Sequence, residues 1–252
     1  RIRLHLLGRP EAWLRESDGS WRRLHWPLRR ALEVLAYLAS SPERRAAKEE
    51  LVAELWSAAS EAVVKRNFHP TLSHLRRGLR DAGEAPPLQL AEGVYALNPE
   101  IGWWIDVEEL ERLSAEGRSL ADQSRDEEAA AAWEAAWRLY RGPFLAGSSE
   151  PWAAARREEH QRPYLAALRE LGSAYERLGR PTEAVDAYRA LLVEDPLHEQ
   201  VHLALMRLYG RGRRDLVRRQ YERLSARLRE ELSSEPLPET TAEYHRLMTE
   251  RG

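Results

Sequence analysis

The sequence predicts a mainly α-helical chain in two parts: an N-terminal winged helix-turn-helix with a small antiparallel sheet, followed by an all-α, tetratricopeptide-like array. Three observations predict it. Residues 1–104 combine short period-two stretches with three helical apolar stripes. Residues 164–197 carry small and aromatic residues at the spacing of a two-helix repeat. Between Val63 and Arg80, one apolar stripe shares a helix with five basic residues and no acidic one.

At 252 residues the chain is longer than a usual single domain. The division falls at residues 1–104 and 105–252. With 43% hydrophobic and 32% charged residues, both parts can bury a core. No apolar run of about 20 residues spans a membrane and no signal-peptide pattern is present. A cytoplasmic protein is expected. The absence of cysteine excludes disulfides, thiolate zinc sites and cysteine nucleophiles, and it fits a reducing compartment. The net charge of -2 hides an asymmetry. Residues 1–104 hold 16 Lys+Arg against 13 Asp+Glu, and residues 105–252 hold 23 against 28. Local basicity beside a neutral or acidic partner suits a modest nucleic-acid-binding module.

Ile2, Leu4 and Leu6 alternate with polar residues and read as a half-buried strand, with Ala12–Leu14 as its hairpin partner. Ser17–Ser20 supplies a turn and Trp21–Trp26 another strand. Pro27 suits the first position of a helix to about Ala39, with Leu28, Ala31, Leu32, Leu35 and Leu38 as its buried stripe. Ser40-Ser41-Pro42 ends it, and Ala47–Trp56 forms a second helix. The third is Val63–Arg80, whose stripe is Phe68, Leu72, Leu75 and Leu79. Lys65, Arg66, Arg76, Arg77 and Arg80 supply cations for phosphates, while Asn67, Thr71, Ser73 and His74 supply short groups for base edges. An ordinary solvated arginine-rich face is the competing reading. Asp81-Ala82-Gly83 and Pro86-Pro87 break the chain, and Leu88–Leu90 with Val94–Leu97 form a hairpin about Glu92-Gly93.

From Trp104-Ile105-Asp106 onward the pattern is helical. In the clearest unit, Tyr164–Leu197, Leu168, Leu171, Gly172 and Tyr175 precede Gly179, and Ala184 and Tyr188 follow, closed by Pro196. Ala129, Trp133 and Ala136 repeat the second helix of this unit before it. Leu205, Leu208, Tyr209, Val217 and Tyr221 repeat both helices after it, with a shortened link through Gly210–Arg213. Such repeats leave a concave surface for a partner.

Two sets of phrases carry a family resemblance. Leu72–Leu79 with Gly93–Leu97 resembles the recognition helix and wing of OmpR-type DNA-binding domains. Tyr140–Leu145, Glu150-Pro151-Trp152 with Arg156, Leu191–Glu199 and the Tyr221–Leu232 helix resemble the bacterial transcriptional activator domain. Together they resemble the SARP/AfsR class of regulators over essentially the whole chain. The resemblance implies a sequence-specific regulator of transcription that binds promoter DNA, often as more than one protomer, and contacts RNA polymerase. It implies a third helix in the major groove, a wing carrying Tyr95 near the minor groove, and a loop at Ser57–Ala62 near DNA or polymerase. Thr71, His74 and Arg77 would face the groove, and Arg66, Arg76 and Arg80 the phosphates. Pro70 departs from the family, so the recognition helix is expected to start near Asn67 or His69, with Val63–Arg66 on a separate turn.

No nucleophile elbow, phosphate loop or metal spacing organises the carboxylates, so no catalytic residue, metal ligand or cofactor is expected. Glu158-Glu159-His160 are adjacent on a helix and do not converge. The rival to DNA binding is an adaptor whose helical groove takes a protein or peptide. The chain begins with Arg1 instead of Met, as a trimmed fragment of a longer protein would.

Overall fold

The computed structural model describes residues 1–82, 85–210 and 212–249. Gly83 of the expected break and Arg211 of the expected link lie outside them. The chain forms two compact units: residues 1–112 with 138–162, and residues 113–137 with 163–252.

In the first unit, β1 (Ile2–His5), β2 (Glu11–Arg15), β3 (Trp21–Arg23) and β7 (Trp103–Ile105) form a sheet in the order β3-β2-β1-β7. The hairpin register sets Ile2 opposite Leu14 and Leu4 opposite Ala12. All four are buried, as the alternation requires. Two expectations fail here. The third strand stops at Arg23, and Trp104 and Ile105 are strand, paired parallel to Arg3 and Leu4. Their apolar side chains serve a half-buried strand as readily as a helix start, and the partner strand lies about 100 residues away, beyond any local signal.

Three helices follow, α1 (Arg29–Ala39), α2 (Lys48–Leu55) and α3 (Glu61–Gly78). The first begins two residues after Pro27, because Leu28 is extended at φ -106° and ψ 113°. Leu28 is therefore exposed instead of joining the stripe, while Ala31, Leu35 and Leu38 are buried. A short strand, β4 (Arg45–Ala47), pairs with β6 (Val94–Leu97), which pairs with β5 (Leu88–Ala91). The β5–β6 turn is Glu92-Gly93, both with positive φ, the two-residue turn that matches strand twist.

Residues 138–162 close this unit. Leu145 N–H donates to the Leu6 carbonyl at 2.8 Å and Ala146 N–H to the Gly8 carbonyl at 2.8 Å. Arg157 donates to the carbonyls of Phe144, Leu145 and Ser148. Trp152 meets Tyr37 edge-on at 5.0 Å, and Arg30 bonds Glu150 at 2.8 Å. At the first turn of α4 (Asp106–Asp122), the Asp106 carboxylate accepts the N–H groups of Leu6 and Leu7 at 2.8–3.0 Å.

The second unit is helical. It takes the distal parts of α4, α5 (Asp126–Leu139) and α6 (Pro151–Arg177), then α7 (Pro181–Glu194), α8 (Glu199–Tyr209), α9 (Arg214–Leu232) and α10 (Pro238–Thr249). Gly172 lies under Tyr188 so closely that an added Cβ would sit 2.3 Å from the ring. Gly117 lies under Trp133 in the same way, at 2.5 Å. In each pair the aromatic follows its glycine by 16 residues, so the α4–α5 pair is a repeat of the α6–α7 pair. The turns match too. Arg180 N–H bonds the Tyr175 carbonyl after Gly179, and Arg125 N–H bonds the Leu120 carbonyl after Ser124. Ser124 takes the positive φ that Gly179 adopts freely. Between α8 and α9, buried His202 spends both ring nitrogens, on the Pro196 carbonyl and on Gln220.

Candidate nucleic-acid interface

The interface candidate is the exposed side of α3. Its inner side is fixed by Phe68, Leu72, Leu75 and Leu79, all buried. Phe68 packs on Trp56 at 5.5 Å and Tyr95 at 5.7 Å. Gly78 leaves room for Trp26, whose ring would lie 2.1 Å from an added Cβ. At about 100° per residue, Arg66, Pro70, Ser73 and Arg77 fall on one line opposite that stripe, and all four are exposed. Lys65, Arg76 and Arg80 are exposed on its flank. Asn67 and His74 are half-buried on the other side.

Two predicted residues are misplaced by the sequence reading. Thr71 is 2% exposed, and its hydroxyl donates to the Asn67 carbonyl at 2.8 Å. It sits three residues after Phe68 and four before Leu75, so helical spacing places it beside the stripe, not opposite it. Tyr95 is 3% exposed, because the inward position of β6 directs its ring onto Phe68. Nor does Pro70 start the helix. Glu61–Gly78 is one helix with Pro70 inside it, and the packing of its buried side outweighs the lost bond to the Arg66 carbonyl. Val63–Arg66 are therefore in register with the rest, so Arg66 joins the line of Arg77 and Lys65 its flank. Pro70 itself and exposed His69 were missed, although wheel position alone puts Pro70 in the centre of the outer line.

Electrostatics set this face apart. Arginines elsewhere are commonly bound to carboxylates: Arg22 to Glu16 and Asp81, Arg44 to Glu108, Arg177 to Asp126. Among the described residues, none of Lys65, Arg66, Arg76, Arg77 and Arg80 is in an ion pair. The helix holds no acid after Glu61, and Asp81 beyond it is engaged by Arg22. Five unneutralised cations along about four turns repel one another and stay solvated until an anion meets them. Beside them, the turn at Trp56–Ala59 borders a groove of about 470 Å³ shared with Leu28, Val63, Asn67 and Pro70. Among the described residues, no group of three or more His, Asp or Glu side chains could hold a metal, and no helix is long and apolar enough to cross a membrane.

A winged-helix unit joined to tetratricopeptide-like helix pairs is the architecture of the chain, and the family match gives its class, a SARP-type transcriptional regulator. Residues 105–248 match the family described as Bacterial transcriptional activator domain, over more than half the chain, and the chain belongs to that family. A search of curated proteins found no match. Among solved structures, Mycobacterium tuberculosis EmbR, in complex with a low-affinity phosphopeptide, aligns with a TM-score of 0.82 at 23% identity. The alignment covers 100% of this chain but 66% of the EmbR chain, so this chain spans just under two thirds of that protein's length. At that identity the likeness is one of fold. A C-terminal TPR-containing domain from Plasmodium falciparum aligns at 11% identity and TM-score 0.42, over 56% of this chain and 87% of that one. A tetratricopeptide repeat protein from Parabacteroides merdae aligns at 18% and 0.27, over 56% and 60%. Neither is close enough to carry weight.

Proposed function

We propose that this regulator binds double-stranded promoter DNA in a sequence-specific manner and activates transcription, with α3 in the major groove and the β5–β6 wing near the minor groove. Residues 1–104 are the DNA-binding part and residues 105–252 the part that makes protein contacts. The observation that carries this reading is the acid-free outer side of α3 and the turn after it, where no carboxylate among the described residues neutralises Lys65, Arg66, Arg76, Arg77 or Arg80. Phosphates supply the missing charge, and release of their counterions drives binding. Arg77 and His74 face the base edges, while Lys65, Arg66, Arg76 and Arg80 meet the backbone, and Asn67 and Ser73 add short polar contacts. The groove beside the Trp56–Ala59 turn and exposed Leu28 offer RNA polymerase an apolar contact. The protein works in the cytoplasm, as more than one protomer on its site.

Selection of bound fragments from a genomic DNA pool by the purified chain tests this and delivers the site. Binding to the selected site should weaken with salt with a log–log slope of about -4, near what the four phosphate contacts release. The second reading is an adaptor that uses the helical unit to take a protein or peptide, and a groove of about 380 Å³ bordered by Arg189, Arg219 and Arg223 favours it. No enrichment of any fragment, together with a shallow salt dependence, would decide for the adaptor.

A further inference from the structure

In the helical unit, arginines are commonly tied to acids: Arg177 to Asp126, Arg207 to Glu243 and Arg229 to Glu235. Arg189 on α7 and Arg219 and Arg223 on α9 break that pattern, being exposed and without a carboxylate partner among the described residues. All three border one groove of about 380 Å³ between α7, α8 and α9, and none of the described residues that line it is acidic. Arg219 and Arg223 stand four residues apart, stacked on the same side of α9 and about 6 Å apart along its axis. Arg189 is held by the Tyr209 hydroxyl, which accepts from its Nε at 3.2 Å.

Beneath this cationic rim the groove is apolar. Leu192, Leu205 and Tyr209 are buried along it, and Val193 beside them is 75% exposed, more than any other large hydrophobic among the described residues. The amide of Gln220, which also lines the groove, is spent on buried His202 at 2.8 Å. Three guanidinium groups over an apolar floor, with no counter-charge of their own, fit a ligand that is anionic and partly apolar at once. An inorganic anion would leave the floor and Val193 uncovered, and an uncharged peptide would leave the arginines without partners. A DNA backbone would meet the arginines but offer nothing to the floor.

We propose that this groove takes an acidic peptide segment of a partner protein, with carboxylates paired to Arg219 and Arg223 and an apolar side chain set against Leu192, Leu205 and Val193. Each guanidinium presents a planar fork that grips a carboxylate through two N–H groups. Arg189, on the facing wall, meets a further acid of the same segment. The apolar side chain supplies the part of the contact that salt does not screen. The inference rests on the reading that residues 105–252 make protein contacts, and it adds the chemistry of the partner. It needs no DNA, so its failure leaves binding by α3 untouched.

Selection from a displayed library of random peptides on the full chain, without DNA, tests this. Enriched peptides should carry clustered Asp or Glu beside an apolar residue. An enriched peptide, labelled and followed by fluorescence anisotropy, should bind the double variant Arg219→Glu with Arg223→Glu about tenfold or more weakly, because like charges then face each other, and Val193→Asp should act in the same direction. The same peptide with its acids changed to lysine should bind the double variant better than the original does, which also shows that the groove is still formed. The double variant's affinity for the selected DNA site should be unchanged. Enrichment without an acidic bias, or binding that ignores the two reversals, overturns the proposal and leaves a protein contact elsewhere on the unit. No enrichment at all overturns both. A lysine peptide that gains nothing on the double variant overturns the proposal, and so does an equal loss of DNA affinity, which would assign these arginines to phosphates.

Discussion

Arg77 lies on the outer line of α3, with Arg76 and Arg80 on its flank, so their losses should be distinguishable. Arg77→Ala or His74→Ala should cost about 1–3 kcal/mol on the selected site and much less on random duplex, whereas Arg76→Ala or Arg80→Ala should weaken both alike and lower the salt slope by about one. Equal losses on both DNAs for all four, in a titration series, would refute the assignment. Thr71→Ala should leave the ratio of the two affinities unchanged, because its hydroxyl is spent on Asn67. At the other side of the unit, His5 and Asp106 lie 3.7 Å apart. Attraction would raise the histidine and lower the carboxyl, yet burial outweighs it for both. Burial, with nearby Arg141, lowers His5 to about 4. Burial raises Asp106 to about 6 against the N–H bonds from Leu6 and Leu7. Folding thus takes up a proton at Asp106 and sheds one at His5 over the same window, between about pH 4 and 6. The Asp106 contribution to stability is full at acid pH and is lost as pH rises through 6. The His5 contribution is full above its unfolded value near 6.5 and is lost as pH falls toward 4. The two slopes oppose each other. In His5→Gln, stability from urea unfolding should fall as pH rises from 4 to 6, by at most about 1.4 kcal/mol per pH unit. In Asp106→Asn it should rise across that range. A flat profile in both variants would remove the assigned cause.

At the scale of elements, what positions the helices is small residues under rings. Gly172→Ala would put a methyl group 2.3 Å from Tyr188, and Gly117→Ala one 2.5 Å from Trp133. Each should cost about 1–3 kcal/mol by overpacking, less whatever Ala returns in helix propensity. Chemical denaturation of each variant reads this directly, and unchanged midpoints would mean the pairs separate easily. The Gly172–Tyr188 pair was legible from repeat spacing. Its counterpart was half legible: Trp133 stood out, but Gly117 sits among charged residues with no repeat signal around it. The opposite holds at α3, where Pro70 is a strong local sign of a helix start and yet lies inside an unbroken helix. Local rules rank propensities one element at a time, and burial of four large side chains along one face overrides a single lost hydrogen bond.

At the scale of the molecule, the phrases Tyr140–Leu145 and Glu150–Trp152 belong by family to the activator domain, yet they pack in the unit that holds the winged helix. Leu6, Leu7 and Gly8 use their backbone groups on Asp106 and on residues 143–146. A chain cut to residues 1–104 loses all of these and leaves Leu6 and Leu7 uncovered. It should therefore unfold several kcal/mol more easily than the full chain, because it loses the burial of Leu6 and Leu7 together with hydrogen bonds of about 0.5–1.5 kcal/mol each, and more to the Asp106 carboxylate. Thermal unfolding followed by tryptophan fluorescence tests this, and an equal midpoint and sharpness for the short chain would contradict it. The sequence by itself determined the helices, the hairpins, the repeat and the cationic stretch, since these follow from spacing within about twenty residues. Only the tertiary structure decided that β7 pairs with β1, that Thr71 and Tyr95 turn inward, and that α3's cations meet no carboxylate among the described residues. Those depend on which distant surfaces come together, and in this chain the same arginines, glutamates and leucines would satisfy many local patterns equally well.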